Sequence, residues 1–142
     1  TNMPLVVPDE GELQLLQKML KVALSTDETY ILKLYKVDYT PISTTAKTSF
    51  TEANFTGYAA RTLTRANWSA GIVNGSSAAE SSYGTTPQSW TCGTTGNTVY
   101  GYWVEGATST KVLWAERLST SRVLASGDIL NLTPKFTLQS QN

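Results

Sequence analysis

The sequence predicts a mainly β protein: an antiparallel, jelly-roll-like β-sandwich with one N-terminal α-helix and an extended N-terminal arm. Three observations predict it. Turn signals recur roughly every 8 to 12 residues, the spacing of short strands in a sandwich or barrel. About a quarter of the residues are Ser or Thr; β-branched Thr suits strands and Ser suits turns. Only one segment, near the N-terminus, repeats its apolar residues with a helical period. At 142 residues the chain suits one domain, read as an arm over residues 1–8 and a single domain over 9–142. Within that domain the helix is expected at about 10–24 and the sandwich at about 29–139.

The elements follow in order. Met3, Leu5, Val6 and Val7, bracketed by Pro4 and Pro8, make a short apolar strand confined by proline to an edge or an end. Such an arm either lies on its own domain or adds a strand to a neighbour's sheet. Asp9 is the expected N-cap, with Glu12 completing a capping box. Leu13, Leu16 and Leu20 form an apolar stripe widened by Leu15, Met19, Val22 and Ala23, while Gln14, Gln17, Lys18 and Lys21 supply the polar side. From residue 29 the period becomes alternating. Residues 29–35 read as a largely buried strand, and 39–49 as a hydroxyl-rich loop. Residues 50–55 and 58–64 read as shorter strands around a bend at Gly57.

Asn74 and Gly75 signal a hairpin within 71–83, and residues 88–92 are another short strand. Residues 98–105 alternate Tyr100, Tyr102 and Val104 on one face with Val99, Gly101 and Trp103 on the other. A turn at 106–110 returns the chain through 112–118. Leu130, Leu132, Phe136 and Leu138 share one face of the last strand, where Pro134 marks an edge or a kink at a sheet corner.

Composition excludes several function classes. Eleven basic residues balance eleven acidic ones, and charged residues make up only 15% of the chain, so it lacks the field that nucleic-acid binding requires. There is no histidine, which removes the commonest general base and transition-metal ligand. Cys92 is the single cysteine, so neither an internal disulfide nor a cysteine zinc site is expected, and it reads as a small buried residue. Asp27, Glu28 and Asp128 are too scattered for a calcium loop. No apolar run approaches the ~18 residues that span a bilayer, and the N-terminus lacks signal-peptide features. Asn-x-Ser/Thr triplets begin at Asn54, Asn67, Asn74 and Asn131, a mild excess over chance in so hydroxylated a chain.

No motif carries covalent chemistry. Glu105 and Glu116 approach across the expected hairpin, but Lys111 and Arg117 offer ordinary surface pairing. Thr1 reads as the product of initiator-Met removal rather than a nucleophile. No catalytic, cofactor-binding or metal-ligating residue is therefore assigned. Trp103 and Trp114, in strongly alternating strands, are expected in the core. Trp68, Tyr83 and Trp90 border loops and, with Met3, Leu5, Val6 and Val7, are the candidate contact residues. Low-charge, hydroxyl-rich surfaces suit wet, hydrogen-bonded contacts over large areas.

Several segments together resemble a known family. They are the arm with the following Glu12, Leu13, Gln14, Leu15 and Leu16; residues 50–59; residues 99–104; residues 113–117; and residues 127–134, from Gly127 and Asp128 to Pro134. The combination resembles small virion structural proteins of tailed double-stranded-DNA bacteriophages, in particular capsid cement or decoration proteins. The resemblance implies a non-enzymatic role on the capsid exterior for a protein made in the host cytoplasm. Its expected partner is the major capsid protein, and it acts as a homo-oligomer, a trimer before a dimer. Cement proteins brace an expanded lattice by binding only the assembled state. The rival readings are a tail or fibre component, or carbohydrate-binding module, recognising a host-surface glycan, and a small glycosidase with paired carboxylates.

Overall fold

The computed structural model describes residues 4–20 and 28–139; Met3, Lys21, Val22, Ala23 and Asp27 lie outside them. Those residues form a mainly β fold with one helix and antiparallel sheets. The elements are α1 (Asp9–Leu20), β1 (Tyr30–Tyr35), β2 (Arg61–Leu63), β3 (Ile72–Val73), β4 (Ala79–Ser82), β5 (Gln88–Thr91), β6 (Thr98–Gly106), β7 (Val112–Val123), β8 (Ile129–Leu132) and β9 (Lys135–Leu138). The main sheet has the order β2-β1-β6-β7, a smaller one β3-β4-β9, and the third pairs β5 with β8.

The main sheet is apolar on both faces, because alternate residues of β1 and β6 point opposite ways. Leu32, Leu34, Tyr102 and Val104 join the larger core cluster, to which β5 and β8 send Trp90 and Leu130. Tyr35, Phe50, Trp103, Val112 and Ala115 form the smaller one, where Phe50 stacks on Trp103 with centroids 4.7 Å apart. Trp103, Trp114 and Cys92 are buried, as expected from the sequence.

Several expectations need correction. The alternation along β6 is broken where its pairing with β7 is irregular: Val99 pairs with Arg122 and Gly101 with Arg117, so the extra residues lie on β7. An irregular register re-aims side chains, so Val99 packs with Tyr102 and Val104 while Tyr100 packs with Trp103. Residues 50–55 form no strand; they join the sheet's edge by an isolated bridge between Glu52 and Tyr35, with Ala53 N–H donating to the Leu34 carbonyl and Lys36 N–H to that of Thr51. The β3–β4 turn is not a two-residue Asn-Gly turn. Asn74 Oδ1 accepts the N–H groups of Ser76 and Ala78, closing a longer loop, and its left-handed residue is Ser77 at φ 59° rather than Gly75. The last strand is two strands. Pro134 stands between β8, which pairs with β5, and β9, which pairs with β4; this is the corner that a residue without an N–H marks.

Helix α1 begins at Asp9 itself, so that residue is not the N-cap; its N–H donates to the Ser43 carbonyl at 2.8 Å. The helix packs on β7 through Gly11, its one buried residue. A Cβ there would lie 2.5 Å from the Leu113 carbonyl oxygen and 2.6 Å from that of Val112. Leu15 and Lys18, one and two turns on, also face inward and are partly buried. The leucine stripe consequently faces away from the domain.

Candidate functional site

Three features could meet a partner: the N-terminal segment, the outer face of α1, and a pair of clefts at Trp68. The first is engaged within the fold. Val6 N–H donates to the Ala115 carbonyl at 2.8 Å, and Ala115 N–H donates back at 2.9 Å, so Val6 adds one antiparallel bridge to the outer edge of β7. Leu5 and Val7 pack against the larger core. Pro4 and Pro8 have no N–H to extend the ladder. Of the arm residues singled out from sequence, Met3 lies outside the described residues.

The second feature is open. Leu13, Leu16, Met19 and Leu20 are 57%, 51%, 73% and 70% exposed. Their spacing places them on one side of the helix. The opposite side is anchored by Lys18, whose ammonium pairs with the buried Glu28 carboxylate. Glu28 also accepts the N–H groups of Thr108 and Ser109, each at 2.9 Å, tying the end of α1 to the β6–β7 turn. Burial pushes the Glu28 carboxyl up, but Lys18 and the Ser109 and Thr108 donors outweigh it and hold it below its ordinary 4.5. At the other end of the helix, Glu10 accepts the Val112 N–H at 2.9 Å. The apolar face is thus displayed on a helix fixed at both ends.

The third feature centres on Trp68. Its ring meets Tyr83 and Trp114 edge-on, at 5.4 and 5.7 Å. On one side is an apolar cleft of about 280 Å³ between Leu15 of α1 and the rings of Tyr30, Trp114 and Phe136. On the other is a polar cleft of about 490 Å³ whose wall includes Asn67, Ser69, Thr85, Thr86 and Gln88. The Trp68 indole N–H is buried with no hydrogen-bond partner among the described residues. Tyr83 is 6% exposed; its oxygen accepts from Thr64 N–H at 3.1 Å and Asn67 Nδ2 at 3.2 Å. Burial pushes that phenol up, yet the Asn67 and Thr64 donors bring it below the usual tyrosine value.

Trp90 corrects the reading of the loop-bordering aromatics. It is 1% exposed, donates its indole N–H to the Ala59 carbonyl at 2.8 Å, and carries the Arg61 guanidinium over its ring. Trp90 and Tyr83 are core residues with little surface to offer, and Trp68 alone of the three lines both clefts. From sequence, Asn67 and Ser69 stood out only as an Asn-x-Ser triplet, and Thr85, Thr86 and Gln88 not at all, because amides and hydroxyls are too common in this chain to stand out.

The two carboxylates weighed as a pair from sequence, Glu105 and Glu116, are occupied in the scaffold. Glu105 is 2% exposed and takes Lys47 at 2.9 Å, Lys33 at 3.2 Å and the Trp103 indole N–H at 3.0 Å. Desolvation pushes its carboxyl up, and the lysines and indole more than reverse that. Glu116 accepts the Tyr102 hydroxyl at 2.8 Å. The expected partners Lys111 and Arg117 turn instead to Glu10 and Asp38. Among the described residues no three His, Cys, Asp or Glu side chains cluster as metal ligands, and no helix is long and apolar enough to cross a membrane.

No protein-family model matches this chain, and no curated protein sequence matches it.

Proposed function

We propose that the chain is a non-enzymatic virion structural protein: a capsid cement protein on the outside of a tailed-phage head, clamping adjoining major capsid protein subunits. In this reading it is made in the host cytoplasm and acts as a homo-oligomer, a trimer before a dimer. The three sheets are read as a jelly-roll-like sandwich, with residues 1–8 as its extended arm. The core shared by strands of different sheets supports the first part, and the Val6 bridge to β7 supports the second.

The observation that carries the function is the outward apolar face of α1. Four large apolar side chains in two helical turns, each more than half exposed, form the kind of patch that marks an interaction surface. Completely covering one such side chain is worth about 1.5–3 kcal/mol. Covering what these four expose is worth roughly 3–8 kcal/mol before the costs of association. One copy would bind a lattice weakly on that face alone. An oligomer engaging several sites gains by effective concentration, and binding only the assembled lattice stabilises it by mass action.

Co-sedimentation of the purified protein with expanded heads of the phage that encodes it, followed by cryo-electron microscopy of the pellet, tests the proposal. It expects stoichiometric density on the outer shell and none on the tail. Heads that pellet without the protein, or density confined to the tail, would overturn it.

A further inference from the structure

From the geometry we infer that the polar cleft beside Trp68 is a binding site for a neutral saccharide, an activity separate from capsid attachment. The cleft lies between residues 67–69 and the loop after β4. Its volume of about 490 Å³ falls within the range of small-ligand sites. Its lining contains no Lys, Arg, Asp or Glu. What it offers are the Gln88 amide, the Ser69, Thr85 and Thr86 hydroxyls, and the aromatic wall of Trp68.

That chemistry selects among ligands. Hydroxyls and amides both donate and accept, matching sugar hydroxyls, which do the same. The aromatic wall suits the C–H face of a pyranose ring. An anionic sugar, a phosphate or a nucleic acid would enter without a cationic partner and lose hydration uncompensated. An extended peptide would need a run of unpaired backbone groups to add a strand, and residues 67–69 and 82–84 already pair with each other. Ser69 N–H donates to the Ser82 carbonyl at 2.8 Å, and Gly84 N–H donates to the Asn67 carbonyl at 2.9 Å. By contrast, the side chains of Thr85, Thr86 and Gln88 make no hydrogen bond among the described residues. The lower wall is rigid, because the Tyr83 hydroxyl is held by Thr64 and Asn67.

A screen of the full chain against immobilised neutral and anionic oligosaccharides, followed by NMR titration with the best soluble neutral one, tests the inference. Neutral glycans are expected to bind in preference to sialylated or uronic-acid ones, shifting the amide signals of residues 67–69 and 83–88. Gln88→Ala and Thr86→Val, both at the protein surface, should each weaken binding at least about 5-fold while leaving the melting temperature unchanged. Trp68→Ala also disturbs the core, so the two surface variants carry the test. Three results would overturn the site: no shifts in these segments at about 10 mM sugar, well above the weak end of specific recognition; shifts elsewhere that ignore both variants; or preference for anionic glycans.

Discussion

Gly11 of α1 meets the Leu113 carbonyl of β7 so closely that a Cβ at this position would lie 2.5 Å from the oxygen. This contact sets the rotation of the helix about its axis. With Gly11 inward, Leu13, Leu16 and Leu20 must face outward, since they sit on the other side of the same turns.

The contact reverses the usual effect of glycine replacement in a helix. Gly→Ala in a helix interior ordinarily stabilises by roughly 0.5–1 kcal/mol. Here the new methyl group meets backbone that cannot rotate away, so Gly11→Ala is expected to destabilise by about 1–3 kcal/mol. Urea unfolding checks the sign; a stabilised variant would mean that the helix does not approach β7 this closely.

Acid should act through the two buried carboxylates. Glu28 and Glu105 both have folded-state values below the ordinary 4.5. Their contribution is therefore complete above about pH 4.5 and is lost as pH falls through the lower folded value. At neutral pH Glu105→Gln leaves Lys33 and Lys47 facing a neutral group. It should cost about 2 kcal/mol, less than for a fully desolvated pair because Lys47 is 44% exposed. The gap between wild type and variant should narrow as pH falls below 4.5. Denaturant midpoints across that range measure it, and a gap that stays constant or widens would contradict the assignment.

The Val6 bridge gives the N-terminal segment a role in folding as well as in any attachment. Val6→Pro removes the donor to the Ala115 carbonyl and should cost about 1–2 kcal/mol, or roughly 3–8 °C in melting temperature for a chain of this size. Val6→Thr, which keeps the N–H, should cost less. Equal melting points for wild type and the proline variant would show that the bridge adds nothing.

Much of the fold was legible in local pattern, and what was missed has identifiable physical causes. The alternation around Trp103 and Trp114 located the strands that bury them, and Pro134 located the corner between β8 and β9. The irregular register after Val99 was not legible, because it follows from how β6 and β7 pair rather than from either strand. The outward turn of the leucine stripe was hidden for a similar reason. Apolar spacing defines a helix face but not what covers it, and the one local clue was a glycine in line with Leu15 and Lys18. Trp90 bordered a loop in sequence, yet the Ala59 carbonyl that anchors it lies far away along the chain. Such long-range hydrogen bonds have no local signature.

The central claim is that the exposed face of α1 is an attachment surface, and a paired measurement on one variant tests it most directly. Leu16→Lys with Leu20→Lys keeps helix propensity nearly unchanged and removes two exposed apolar side chains. Circular dichroism and melting temperature should match wild type, while affinity for expanded heads in co-sedimentation should fall at least about 10-fold. Undiminished decoration by this folded variant would contradict the claim.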